Sequence, residues 1–355
     1  MAEEKSVLNG TRYIVLAAAL IIIVYGIHQA QSVVTLVLMS VFLALIATPP
    51  VLWMQRKRIP SSVAVLVVMA CMIILLLIIG GIVGASLSTF SNSLPFYQKR
   101  LQEQLFALKP WLATKHIEVT DKVLLEYLNP GPMLGLVVGL LSSMGSTISD
   151  IVLILLTVTF ILLEASSFPI KLRAILGDPL RAFPQFTNFV NEIKRYVIIK
   201  TIINLIAGTT IGIWLYILGV DFPVLWGFIA FLLHYIPNIG SVICAIPAVL
   251  LAFVELGAGP AMLAASGYLV VGFTVGNVVE PRLMGKKFGL STLVVFLSLI
   301  FWGTLLGPIG VVLCIPFTMT LKFACENGKN TKWIAIMLGS GKAAKTLPPA
   351  SKKRE

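Results

Sequence analysis

The chain has 355 residues, of which 58% are hydrophobic and only 12% charged, with a formal net charge of +12. Ordinary soluble domains are roughly 45–50% apolar and about 25% charged, so too much hydrocarbon is present for one interior and much of it must face lipid. Disorder, collagen and a disulfide scaffold are excluded by the same composition, and the surplus of Lys and Arg is what cytoplasmic loops of membrane proteins carry, so nucleic acid is not an expected partner.

A bilayer core about 30 Å thick takes about 20 apolar helical residues. Residues 13–27, 33–54 and 63–87 each fit one crossing. Glu3 and Glu4 spoil the basic lead of a signal peptide, so the first is read as an anchor. Residues 88–145 are polar and mixed in charge. Leu94, Tyr97, Leu101, Leu105, Leu108 and Leu112 share a helical face there, and Thr120 or Asp121 can cap a second helix carrying Leu124, Tyr127 and Leu128. An amphipathic pair on the outer side is expected. Residues 146–163, with Asp150, form a fourth span, followed by a basic segment with Phe183, Phe186, Val190, Ile193 and Val197 on one face. Residues 201–220 and 256–279 complete six spans.

Two uncharged runs, 222–254 and 288–321, are too long. As single helices each would measure roughly 50 Å. They are interrupted by Tyr235-Ile236-Pro237-Asn238 and by Gly307-Pro308-Ile309-Gly310. Proline removes a helical hydrogen bond and biases its predecessor away from helix, so each run should fold back as two shorter helices, its tip at mid-depth. Charge supports this. With the N-terminus inside, Arg56 to Arg58, Lys171 to Lys200, Arg282 to Lys287 and the tail from Lys322 are all cytoplasmic only if each run returns to the side it entered. The expected fold is therefore an all-α polytopic membrane protein with six full transmembrane helices, two proline-broken helical hairpins and amphipathic extramembrane helices. Ten spans, with both hairpins crossing fully, would leave the sidedness unchanged. The expected domains are transmembrane helices in 1–87, the amphipathic segment 88–145, a span with basic cytoplasmic helices in 146–200, a transport region in 201–322 and a basic cytoplasmic tail in 323–355. Residues 237–247 parallel 308–316 given two single-residue gaps, the pattern of an inverted repeat.

Enzymatic chemistry is not expected. Cys71, Cys244, Cys314 and Cys325 lack metal-ligand spacing, and His28, His116 and His234 are far apart in sequence. Gly339-Ser340-Gly341-Lys342 lacks the spacing of a phosphate loop. No metal, cofactor or nucleotide hydrolysis is implied, so any pumping must draw on an ion gradient, or transport is passive. Polar groups in or beside hydrocarbon are costly and often functional. At the first tip these are His234, Tyr235, Asn238 and Ser241, with Pro237 breaking the helix and Gly240 allowing a solute close to the backbone. The sixth span ends in Asn277, Glu280 and Arg282. Asn277 can donate and accept, while Glu280 and Arg282 suit a gate pair, a solute contact or an ordinary interfacial salt bridge. With Gly307, Pro308 and Gly310 at the second tip, these residues form the candidate solute-binding and gating set. Asn204 reads as a bridge between helices.

The blocks Tyr235-Ile236-Pro237-Asn238-Ile239-Gly240-Ser241-Val242, Glu280-Pro281-Arg282-Leu283-Met284-Gly285, Leu290-Ser291-Thr292-Leu293 running on to Trp302-Gly303, and Gly307-Pro308-Ile309-Gly310 occur in this order. Through them the chain resembles the autoinducer-2 exporter family over about residues 13–322. The resemblance implies a bacterial inner-membrane protein with cytoplasmic termini that exports autoinducer-2, a small polar signal, and so lowers quorum signalling and biofilm formation. It also implies homo-oligomers, pentamers in particular. Some members of the family are sodium or lithium/proton antiporters, so an antiporter using Glu280 and Asp150 is the alternative expectation. A membrane scaffold acting through 88–145 is a third.

Overall fold

A computed structural model describes residues 15, 18–19, 21–113, 148–176, 184–237, 239–284, 290–328 and 331–339. Among these the chain is helical and holds no strand, only an isolated bridge between Leu290 and Gly339. The helices are α1 (Gln31–Arg56), α2 (Ser61–Ala113), α3 (Ile148–Leu176), α4 (Pro184–Leu218), α5 (Pro223–Leu233), α6 (Gly240–Leu256), α7 (Ala258–Thr274), α8 (Glu280–Met284), α9 (Thr292–Asn327) and α10 (Lys332–Leu338). A π-helical turn, Val275–Val279, joins α7 to α8.

Among the described residues, five helices are long and apolar enough to cross a membrane: Gln31–Arg56, Ser61–Ser93, Phe189–Leu218, Ala258–Leu283 and Thr292–Glu326. Four of them contain the bulk of the expected spans 33–54, 63–87, 201–220 and 256–279. The described part of span 146–163 lies in α3. Of span 13–27, only part is described, and that part is helical. The expected amphipathic pair in 88–145 is different in form. Helix α2 passes through position 88 without interruption and continues to Ala113, although Pro95 stands inside it. Its expected second helix lies outside the described residues.

The chain forms two compact units, one of Met1–Thr48, Leu153–Lys194 and Phe288–Glu355, the other of Pro49–Val152 and Arg195–Lys287. In the first, Ser40 is fully buried and donates to the Leu36 carbonyl, with the Ile154 carbonyl at 3.4 Å. Phe189 stacks on Phe323 with ring centroids 4.2 Å apart. The long run in this unit is broken at Gly307, where φ is 65° and ψ is −150°. Trp302 Nε1 then donates to Thr318 Oγ1 at 3.3 Å, and the Trp302 and Phe317 rings lie 4.8 Å apart. Sixteen residues of unbroken helix would separate the first pair by about 24 Å, so the chain has reversed. The breaker is the glycine; Pro308 opens the returning helix, where its missing N–H costs nothing.

The second unit packs around Phe90, Leu215, Trp226, Ala248, Leu251 and Tyr268. Its long run is divided into α5 and α6, which pack together, with turns and a bend through the described residues of 234–239. Pro237 sits in that bend, and Pro223 opens α5. The two reversals share one packing detail. A Cβ at Gly240 would overlap the Leu233 carbonyl, and one at Gly310 would overlap the Trp302 carbonyl. In each case the returning helix starts hard against the backbone of the outgoing one. Cys244 and Cys314, four residues further on, are both fully buried. These matching environments support the alignment of 237–247 with 308–316.

Close helix approach is concentrated where α4 meets α5. A Cβ at Gly208 would lie 2.5 Å from the Gly227 carbonyl oxygen and 2.8 Å from Phe231 Cβ. Gly80, Gly84 and Gly276 have open space instead. Replacing Gly208→Ala should lower stability by about 1–3 kcal/mol through overpacking, while Gly80→Ala should leave it unchanged or slightly raised. Thermal unfolding of the detergent-purified protein distinguishes the two.

Candidate functional site

Helix α4 presents Lys200, Thr201 and Asn204 within little more than one turn, at the start of its uncharged stretch. The bend after α5 brings His234 and Tyr235 to them. Tyr235 donates from its hydroxyl to Thr201 Oγ1 at 2.7 Å. Asn204, fully buried, accepts from the Tyr235 N–H at 3.1 Å and donates to the Lys200 carbonyl at 3.3 Å. The side chain thus ties the bend to α4 through a backbone N–H that also donates to the Leu232 carbonyl at 3.2 Å.

This registry fixes the depth of the tip. Thr201 begins the uncharged stretch and Leu218 lies about 26 Å further along the helix axis. The tip therefore stands level with one end of α4's apolar stretch, not with its middle as the sequence suggested. Helix α6 has 17 residues, enough for about 26 Å, so it reaches nearly as far as a full crossing.

Glu280 enters from the other side. It follows the π-turn Val275–Val279, a distortion that turns a helix out of its regular register and is frequent at functional sites. Its carboxylate pairs with the ammonium of Lys200, which is 4% exposed. The partner of Glu280 is therefore Lys200 and not Arg282, which is exposed. Burial makes this pairing obligatory, since an isolated charge there would be very costly. Asn277, inside the π-turn, is exposed and donates back to the Phe273 carbonyl at 3.2 Å.

His234 completes the cluster. Only 6% exposed, it places Nδ1 2.7 Å from the Ala230 carbonyl. A carbonyl only accepts, so Nδ1 carries the hydrogen and, in the neutral ring, Nε2 is a bare acceptor. That nitrogen is buried and has no partner among the described residues. Ser241, at the start of α6, faces Gly272 of α7, where an added Cβ would come within 3.0 Å of the Ser241 Cβ. The bend, α4 and the start of α8 thus bring together an acceptor without a partner among the described residues, a charge-compensated ion pair that acts electrostatically on it, and the linked hydroxyls of Tyr235 and Thr201. Such a site suits a small neutral or weakly charged solute carrying O–H or N–H donors.

Of the sequence-derived candidates, His234, Tyr235 and Glu280 join this cluster, and Pro237, Gly240 and Ser241 shape the tip. Asn238 lies outside the described residues. Asn277 and Arg282 are exposed, and Gly307, Pro308 and Gly310 form the reversal of the other compact unit. Lys200, Thr201 and the full role of Asn204 were missed. A signal for Lys200 existed: one base and one acid stand at the same-side ends of the uncharged stretches 201–220 and 256–279. Lys200→Ala should cost about 3–5 kcal/mol, because it strands Glu280, whereas Lys200→Met with Glu280→Met should recover most of that loss. Chemical denaturation of the three proteins in the same detergent measures the difference.

Comparison with known proteins adds to this geometry. Residues 16–330 match the sequence profile of the AI-2E family transporters. The chain is 37% identical over 338 residues to the AI-2 transport protein TqsA of Escherichia coli, covering 95% of this chain and 98% of that protein. It is 32% identical over 340 residues to YhhT of Escherichia coli, provisionally named a transport protein, covering 96% of this chain and 97% of that one. A similarly named Haemophilus influenzae protein is 33% identical over 338 residues, 94% of this chain and 97% of its own. With a profile match across nearly its whole length, this chain belongs to the AI-2E transporter family.

Proposed function

We propose that this protein exports a small polar signal, autoinducer-2, across the bacterial inner membrane without ATP, as six crossings and two proline-broken hairpins with both termini cytoplasmic. The name of the TqsA relative supports the substrate, and the strong similarity spans both proteins almost end to end. The observation that carries the site is the buried, unpartnered Nε2 of His234 beside the Lys200–Glu280 pair. An orphaned acceptor in an apolar setting is costly, and a solute hydroxyl relieves that cost.

In this mechanism the bend between α5 and α6 closes one end of the path while Tyr235 is held on Thr201 and Glu280 on Lys200. Solute binding at His234 competes with those contacts and lets the hairpin shift along α4. The ion pair lends its charges to the solute's polar groups without a net charge that would demand a counter-ion. Its quorum and biofilm effects follow from lowered internal signal, and oligomer formation is consistent with this reading. An antiporter using Glu280 and Asp150 is less well supported, because Glu280 is neutralised by Lys200 and Asp150 is exposed.

Efflux of autoinducer-2 assayed in everted vesicles tests the assignment. Losing one buried hydrogen bond to solute predicts about a 5–10-fold fall in transport for His234→Ala. Asn277→Ala should transport normally. Equal, undiminished transport by His234→Ala and by Tyr235→Phe, at normal membrane levels, would remove this site.

A further inference from the structure

A second polar cluster lies at the other end of the same helices. Lys200 is separated from the end of α4 at Leu218 by about 27 Å, and the start of α7 at Ala258 from Glu280 by about 33 Å. Both lengths approximate the hydrocarbon thickness of a bilayer. At that far end, in the turn after α4, Tyr97 donates to the Asp221 carboxylate at 3.1 Å. The backbone N–H of Asp221 donates to Glu255 Oε2 at 3.0 Å. The two acids are thus neighbours, and Glu255 Oε1 is buried with no partner among the described residues. Three segments thus meet through two acids: α2 by Tyr97, the α4–α5 turn by Asp221, and the end of α6 by Glu255.

We propose that Tyr97, Asp221 and Glu255 form a pH-sensitive latch, closed while the two carboxyl groups share one proton and released when that proton leaves. The surroundings suit a moving part. Gly219 and Gly257 bracket the latch with φ of 78° and 90°, and Phe222 is held at φ 58°. A bulky residue there is strained, and the Phe90 ring packs edge-on against both Phe222 and Trp226. Trp226 Nε1 donates to the Asp221 carbonyl at 3.1 Å, which ties the turn into the core.

The groups facing Glu255 are Asp221 from the α4–α5 turn and Tyr97 from α2. Lys99 and Arg100 follow on α2 but are exposed, Arg100 over the Phe96 ring, and among the described residues neither forms a salt bridge with the acids. Tyr268 of α7 lies in the same apolar core, its hydroxyl buried without a hydrogen-bond partner among the described residues. Burial pushes the Glu255 carboxyl up to about 7, the Asp221 N–H opposes it, and the Asp221 carboxylate adds to the rise. The closed latch therefore holds its proton more tightly than a free carboxyl at its ordinary 4.5. Closure is favoured most at low pH, weakens as pH rises from about 4.5 to about 7, and loses that support above this range. There two adjacent anions repel. Since the latch lies away from the Lys200–Glu280 pair, it does not depend on which solute is carried.

Infrared difference spectroscopy of the full chain in lipid nanodiscs reads the proton directly. A carboxylic C=O band should disappear with a midpoint near neutral pH in the unaltered protein and be missing in Glu255→Gln. Asp221→Asn, which removes the neighbouring charge, should lower that midpoint by about one unit. Hydrogen exchange gives the motion. Protection around residues 92–97 and at Asp221, corrected for intrinsic rates, should fall about tenfold from pH 6 to pH 8 in the unaltered protein and stay constant in Glu255→Gln. A band persisting unchanged in Glu255→Gln, or no protonated carboxyl above pH 5.5 in the unaltered protein and Asp221→Asn alike, would overturn the proposal. Should Glu255→Gln fail to fold, the Asp221→Asn shift alone decides it: an unmoved midpoint refutes the latch.

Discussion

A chain that reverses direction beside hydrocarbon must still satisfy the backbone groups that its broken helices release, and this constraint organises the second unit. Water is scarce there, so each freed N–H and C=O needs a protein partner. The Tyr235 N–H keeps the Leu232 carbonyl as acceptor, and Asn204 adds a tie to α4 by accepting from the same N–H. The Tyr235 hydroxyl supplies a second tie through Thr201. Glycine at position 240 removes the side chain that would hold the two helices apart. The polar cluster is thus first a structural answer to the reversal, and within it the Nε2 of His234 has no partner among the described residues.

The same requirement explains why charges sit where they do. Lys200 and Glu280 stand at the ends of uncharged stretches, where each can be reached by the other and neither need lie deep in lipid. The π-turn before Glu280 is the local adjustment that accompanies this pairing. Asp221, just after α4, and Glu255, at the end of α6, stand at the opposite end of the unit, but as two acids they repel when both are ionised. One end of the unit is therefore held by opposite charges, and in our proposal the other is held by two acids whose repulsion a proton on Glu255 relieves.

Much of this was legible in the sequence. The uncharged runs 222–254 and 288–321 exceed one bilayer, and both do reverse where proline and glycine interrupt them. Patterning also pointed to His234, Tyr235 and Glu280. It misled on the partner of Glu280, which is Lys200 and not Arg282, because a neighbour in sequence is not a neighbour across a helix packing. It also misplaced the tip, because the length of an apolar run says nothing about the level at which its bend docks on an adjacent helix. Residues 88–113 show a further limit: polarity changes there while the helix continues.

By itself the sequence determined that this is a helical membrane protein and where its long runs fold back, since hydrophobic length and helix-breaking residues are local properties of the chain. Its ordered motifs also fixed the family resemblance. Only the tertiary structure decided that Lys200 is the partner of Glu280, that Asn204 bridges α4 to the bend, and that Tyr97 reaches Asp221 across 124 positions. The physical reason is that ion pairing and hydrogen bonding act over a few ångströms in space, and the register between packed helices, which sets those distances, is written in no single segment.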